Sequence, residues 1–149
     1  MSLTQILQPD RIAVLHDCSD GDDLIIALSG LLADTKAQLG PIADSLRQRE
    51  RLGSTAIGHG VALPHGRNDL FEQARAAFIR LSQPIAYGAL DGEPVDLVLA
   101  LSVPSHFTHQ HLRLLAEIAE RFAAPGLRDA LRGAPDTATI HALLTTTAP

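Results

Sequence analysis

Val95-Asp-Leu-Val-Leu-Ala-Leu-Ser-Val103 is almost continuously apolar. A strand exposed on one face would alternate apolar and polar residues, so this run reads as a central strand covered on both faces. Ala76–Leu81 reads as a second strand, and the turn-rich stretch Pro84–Pro94 separates the two. Upstream, Ile12–Leu15 reads as a short strand and Leu3–Leu7 as a helical turn stopped by Pro9. Ser19, Asp20 and Asp22 offer N-caps for a helix through Leu24, Ile25, Leu28, Leu31 and Leu32, which repeat at helical spacing. Gly40 reads as a helix stop, and Pro41 suits the first turn of the next helix, Ile42–Arg51. After the apolar strand, His109–Ala123 carries Leu112, Leu115, Ala116, Ile118, Ala119 and Phe122 on one face, with Thr108 as its N-cap. Pro125-Gly126 breaks that helix, Leu127–Arg132 forms a short one, and Asp136 caps a last one through Ile140, Leu143 and Leu144. This order predicts an α/β fold: a mixed β-sheet flanked by helices on both sides, in a single domain spanning 1–149.

The totals agree with that architecture. At 149 residues the chain fits one domain, and a domain of that size buries roughly 68–70% of its unfolded surface. Apolar residues are 46% of the chain, which excludes a disordered polymer, while aromatics are 3%, so the core must be aliphatic. The net charge of −5 argues against nucleic acid as the main partner, and the few aromatics offer little platform for stacking bases. Cys18 is the sole cysteine, which fits a reducing compartment. It reads as a small residue at a strand end, or less simply as a nucleophile beside His16-Asp17. The start of the chain lacks a basic segment followed by an apolar one. No stretch approaches the ~20 apolar residues of a membrane span. The expectation is a cytoplasmic protein without membrane insertion.

Between the second helix and the later strands lies Gly53-Ser-Thr-Ala-Ile-Gly-His-Gly-Val-Ala-Leu-Pro-His-Gly66, preceded by Arg49-Glu50. Four glycines and two histidines fall within it. Glycines let a backbone turn sharply and approach a ligand, so the main chain at Gly58, Gly60 and Gly66 is a candidate phosphate cradle. Gly60–Pro64 reads as a short extended segment that delivers His65 from a main chain stiffened by Pro64. An imidazole titrates near pH 6.5 and is largely nucleophilic at neutrality. Backbone N–H groups beside it can hold a phosphoryl group without supplying a base for its hydrolysis. His65 is the candidate acceptor. Arg49 reads as a phosphate clamp or as a solvated helix-end cation, a choice that Arg47 and Arg51 leave open.

Seven histidines are present. His111, in the first turn of the long helix, can reach an anion near that helix N-terminus, or can stand solvated there. His106, His109 and His111 form a His-x2-His-x-His pattern whose spacing does not suit ligands on one helix face, and no cysteine or acid interrupts it. No metal and no cofactor is expected. His16 and His141 read as structural. The chain has no Walker-type phosphate loop.

Taken together, Arg49-Glu50, the Gly53–Gly66 stretch, the Val95–Val103 strand followed by Pro104 and the His111-Leu-x-x-Leu helix resemble the enzyme IIA domains of the bacterial phosphotransferase system, fructose/mannitol type. The resemblance runs from about Leu3 to Leu144. It implies that His65 is phosphorylated by a small histidine-containing phosphocarrier protein, that His111 is the second histidine positioning the phosphoryl group, and that Arg49 is the arginine near it. Ile6-Leu-Gln-Pro-Asp-Arg-Ile12 looks more like the nitrogen-regulatory branch, a free-standing domain that acts on regulatory target proteins through its phosphorylation state. Against the family pattern, His59 stands where Asn is frequent. It either donates to the phosphoryl group or hydrogen-bonds the loop. Three other readings compete: a sugar-specific IIA that passes phosphate to a IIB domain during uptake, a module that binds an anion or a protein without covalent chemistry, and a metal hydrolase.

Overall fold

The computed structural model describes residues 2–106 and 109–146. Its elements run α1 (Leu3–Ile6), β1 (Ile12–Leu15), α2 (Gly21–Leu32), α3 (Leu39–Glu50), β2 (Ala56–Gly58), β3 (Val61–Ala62), β4 (His65–Arg67), β5 (Arg75–Ile85), β6 (Val95–Val103), α4 (His109–Phe122), α5 (Pro125–Gly133) and α6 (Thr137–Thr145). One mixed sheet has the order β1-β5-β6-β3-β2, with β4 also paired to β6. β5 and β6 are antiparallel, whereas β1 lies parallel to β5, and both β3 and β4 lie parallel to β6.

Helices cover both faces. Leu97, Leu99, Leu101 and Val103 of β6 turn toward α1, α4, α5 and α6, while Val98 and Ala100 turn toward α2 and α3. Every residue of β6 except Asp96 is buried, as its continuous apolar sequence requires. The core is aliphatic apart from Phe78 and Phe122, whose rings stack with centroids 6.5 Å apart.

The helix ends follow local chemistry. Asp20 caps α2 by accepting from the Asp23 N–H at 2.9 Å, and Asp23 accepts in return from the Ser19 N–H at 3.0 Å. Asp136 caps α6 through the Thr139 N–H at 2.8 Å. The predicted Thr108 cap lies outside the described residues. At the other ends, arginine side chains take up orphan carbonyls. Arg75 and Arg11 donate to Leu32 O and Leu31 O of α2. Buried Arg128 donates to Phe122 O of α4 and to Ala123 O just beyond it, Arg80 to Leu131 O of α5 and Ala134 O after it, and Arg121 to Leu144 O and Leu143 O of α6.

The structure corrects several expected boundaries. Gly40 is not a stop: a 3-10 turn at Lys36–Gln38 runs straight into α3, and Pro41 sits in the first turn, where its missing N–H costs nothing. β5 continues beyond Leu81 to Ile85, through a register irregularity that accommodates Pro84. β2 and β4, too short and glycine-rich to announce themselves, become strands by pairing with β3 and β6.

The feature that shapes the site is a break between β3 and β4. The first half of β6 holds β3, with Val61 opposite Leu97, and the second half holds β4, with His65 opposite Leu101. Leu63 and Pro64 lie between. Pro64 still accepts from the Leu101 N–H at 2.9 Å, so the chain stays on the sheet. Gly66 then packs directly on α3: a Cβ there would stand 2.7 Å from the backbone carbon of Ser45 and 2.8 Å from its oxygen. Gly66→Ala should therefore lower stability by about 2 kcal/mol through forced separation of β4 and α3. Equilibrium urea denaturation of wild type and variant measures this.

Candidate functional site

His65 projects from β4 on the face that β6 turns to α4, at the sheet edge between α3 and α4. It is half-buried and lines two adjoining hollows. On the α3 side it meets Ser45, Gln48, Arg49, Leu52, Gly66 and Arg67. On the α4 side it meets Arg49 again, with Ile57, Leu63, Leu112 and Leu115 among others. Arg49 thus borders His65 from both sides. Leu52, Ile57 and Leu112 are exposed at 85%, 43% and 56%, giving the site an apolar rim.

The ring is held by a neighbour that no motif announces. His65 Nδ1 lies 2.9 Å from the Leu63 carbonyl oxygen. A carbonyl only accepts, so Nδ1 carries the proton and Nε2 keeps its lone pair. Burial pushes the His65 pKa below the ordinary histidine value; the bond to Leu63 O opposes this, and the Arg49 cation adds to it. The ring is neutral at neutral pH.

Arg49 leaves the last turn of α3 and donates from Nη1 to Gly53 O at 2.8 Å, which among the described residues is its only hydrogen bond. It closes off the loop after α3 and lines both hollows. Its neighbour Glu50 turns to Thr55, accepting from the Thr55 N–H at 3.2 Å and from the Thr55 hydroxyl. Tyr87 packs behind, its hydroxyl buried beside Glu50 and Thr55 without a hydrogen bond of normal geometry. Burial, then the Glu50 carboxylate, pushes its pKa up, so it stays a neutral phenol.

The structure thus brings His65, Arg49 and Gly66 together. Gly58, His59 and Gly60 stand elsewhere, at the β2–β3 hairpin turn, and none of them lines either hollow. His59 and Gly60 have φ of 57° and 79°, the left-handed pair of a tight two-residue hairpin turn. Asn and His are among the non-glycine residues that adopt that conformation most readily. The His59 N–H donates to Asp91 at 2.9 Å, and its carbonyl accepts from Arg132, itself paired with Asp96. A Cβ on Gly60 would strike Arg132 Nη2 at 2.5 Å.

His111 is buried in the first turn of α4 and lines a separate polar hollow with Gln5, Glu72, Gln73, His106 and Gln110. Burial, and after it His106, lowers its pKa. Its successors Leu112 and Leu115 form the α4 wall of the second His65 hollow. Elsewhere, His141 lies 3.0 Å from Leu7 O and ties α6 to the segment after α1, His16 pairs with Ser82 at 2.5 Å, and the Cys18 thiol, raised in pKa by burial, lies 3.5 Å from Asp20 O. Among the described residues no group of three or more His, Cys, Asp or Glu side chains is placed to hold a metal ion, and no helix is long and apolar enough to cross a membrane.

Residues 5–146 match the family model described as phosphoenolpyruvate-dependent sugar phosphotransferase system, EIIA 2, and the chain belongs to that family. It is 33% identical over 145 residues to a nitrogen regulatory protein of Bradyrhizobium diazoefficiens, covering 97% of this chain and 95% of that one. It is 35% identical over 144 residues to a nitrogen regulatory protein of Pseudomonas aeruginosa, with 95% and 94% covered. The crystal structure of nitrogen regulatory protein IIA-Ntr from Neisseria meningitidis superposes with a TM-score of 0.89 at 33% identity, over 95% of this chain and 98% of that one.

His65 should titrate below pH ~6.5, the ordinary histidine value. Because the Arg49 cation disfavours a second positive charge nearby, Arg49→Gln should move that titration upward. NMR titration of the His65 ring reads both, and an unmoved midpoint in the variant would show that Arg49 does not reach the ring.

Proposed function

We propose that this chain is a phosphohistidine-carrying regulatory protein of the cytoplasm, which accepts a phosphoryl group on His65 from a histidine-containing phosphocarrier protein and acts on regulatory targets, in nitrogen- or potassium-type control, through its phosphorylation state. The observation that carries this reading is the His65 ring: neutral, half-buried, with Nδ1 engaged by Leu63 O and Nε2 turned to hollows bordered by Arg49. Nε2 attacks phosphorus in line and with inversion. The new N–P bond forms as the donor's N–P bond breaks, and the donor imidazole leaves with that electron pair. The proton stays on Nδ1, donated to Leu63 O, and that carbonyl oxygen stabilises the positive charge that develops on the ring. Arg49 meets the equatorial oxygens in a charge-assisted contact. Backbone at Gly66 borders the phosphoryl group, while Gly58 and Gly60 serve by shaping the hairpin that carries Ile57. The family resemblance gives His111 a part in positioning the group, although its side chain lines a separate hollow and only Leu112 and Leu115 after it border His65.

The regulatory branch is supported by the names of the relatives in this size range. A phosphoryl group brings about −1.5 to −2 charges into a surface of Leu52, Ile57 and Leu112. An apolar docking face thereby becomes an anionic one, and partners that bury the rim discriminate between the two forms.

Incubation with phosphoenolpyruvate, enzyme I and the phosphocarrier should add one acid-labile phosphoryl group, read by intact mass. His65→Ala should abolish it, and His111→Ala should slow it. Lack of any gain with an active donor chain would favour a module that binds anions without covalent chemistry. Onward transfer to a IIB domain would favour sugar uptake. The rate should fall as pH drops through the depressed His65 pKa, because protonation removes the Nε2 lone pair, and should be level above it.

A further inference from the structure

Glu50 occupies an electrostatically poor place. It is the last residue of α3, where the helix dipole presents its negative end, and among the described residues it forms no ion pair. What it does have is Thr55. Both carboxylate oxygens are used: Oε2 accepts from the Thr55 N–H at 3.2 Å and Oε1 from the Thr55 hydroxyl. Thr55 is buried at 6% exposure, so these two bonds fix its peptide. The Thr55 carbonyl in turn accepts from the Leu63 N–H at 3.0 Å, one step beyond the β2–β3 ladder. Leu63, also buried at 6%, turns its own carbonyl to His65 Nδ1 at 2.9 Å. The bonds form an unbroken chain from the end of α3 to the imidazole, through a segment that the proline break keeps from ordinary strand pairing.

We propose that Glu50 is a positioning residue for His65: through Thr55 it fixes the Leu63 carbonyl that keeps the proton on Nδ1 and leaves Nε2 facing the donor. Arg49 and Glu50 then divide the work of one helix end, the arginine turned toward the phosphoryl group and the glutamate toward the main chain behind the nucleophile. The carboxylate accepts both donors of one residue. A leucine in its place would keep the bulk and leave the Thr55 N–H and hydroxyl without that acceptor, whereas a glutamine could still serve both, since the Thr55 hydroxyl accepts as well as donates. The inference rests on His65 being the phosphoryl acceptor, but its first test does not.

That test is the ring tautomer, read from the ¹⁵N shifts of His65 in the unphosphorylated protein at a pH where the ring is neutral. Wild type should show the Nδ1–H form. Glu50→Leu and Thr55→Val should each populate the Nε2–H form, and Thr55→Ser, which restores the hydroxyl, should recover the wild-type shifts. In single-turnover phosphorylation by the phosphocarrier, Glu50→Leu should lose about tenfold in maximal rate, with half-saturating donor concentration changed less than about twofold. Thermal midpoints monitored alongside identify any variant that has merely unfolded. Unaltered ¹⁵N shifts in a folded Glu50→Leu protein would overturn the proposal, as would a rate loss expressed wholly as weaker donor binding. Should wild type take up no phosphoryl group at all, the tautomer result still decides the role of Glu50, and the failure belongs to the phosphotransfer reading.

Discussion

The break in the sheet edge at Leu63-Pro64 is the constraint on which the site depends. β6 is long enough to hold two short parallel partners end to end, and the chain passes from one to the other across Leu63 and Pro64, of which Pro64 still accepts from the Leu101 N–H. A single continuous strand would have committed the Leu63 carbonyl to ladder pairing. Here it turns to His65, and the strand that follows brings Gly66 into backbone contact with α3. That contact closes the α3 side of the site and leaves no room for a side chain at position 66.

Electrostatically the molecule is economical. It has a net charge of −5 and only 12 basic residues, several of which end helices. Arg128, Arg80 and Arg121 take up carbonyls at or beyond the ends of α4, α5 and α6, and Arg11 and Arg75 do so for α2 while sharing Asp34. A guanidinium suits this use, since its planar fork reaches two carbonyls at once and stays charged when buried. Arg49 follows the same pattern at the end of α3 but bonds one carbonyl, Gly53 O, and lines the hollows beside His65. In the proposed function, what separates a capping arginine from a clamping one is position, with the same local bonding habit behind both.

Two effects oppose each other at His65. Burial and Arg49 keep the ring uncharged, while the hydrogen bond to Leu63 O favours the protonated form. Burial is the larger, so the carbonyl fixes which nitrogen bears the proton without making the ring a cation. This division suits the proposed role, in which the ring is nucleophilic at one atom and its positive charge is stabilised at the other once phosphorus is bound.

Much of the fold was legible in the sequence because the signals were local. The almost continuous apolar run of β6, the caps at Asp20 and Asp136 and the periodicity of α4 each depend on residues close together in the chain. Gly40 misled because a helix stop and a tolerated first-turn glycine look alike until the preceding turn is seen. The site was legible in part: His65, Arg49 and Gly66 meet, whereas Gly58 and Gly60, equally glycine and equally near in sequence, spend their positive φ on a hairpin turn. Glu50 stood beside Arg49 in the motif, but its target, Thr55, and the carbonyl of Leu63 carry no signature, since every residue has a carbonyl. Sequence by itself determined which residues are buried and which side chains have the chemistry. Only the tertiary structure decided which strand lies beside which, and with it which backbone atoms face the imidazole, because hydrogen-bond partners are set by neighbours in space.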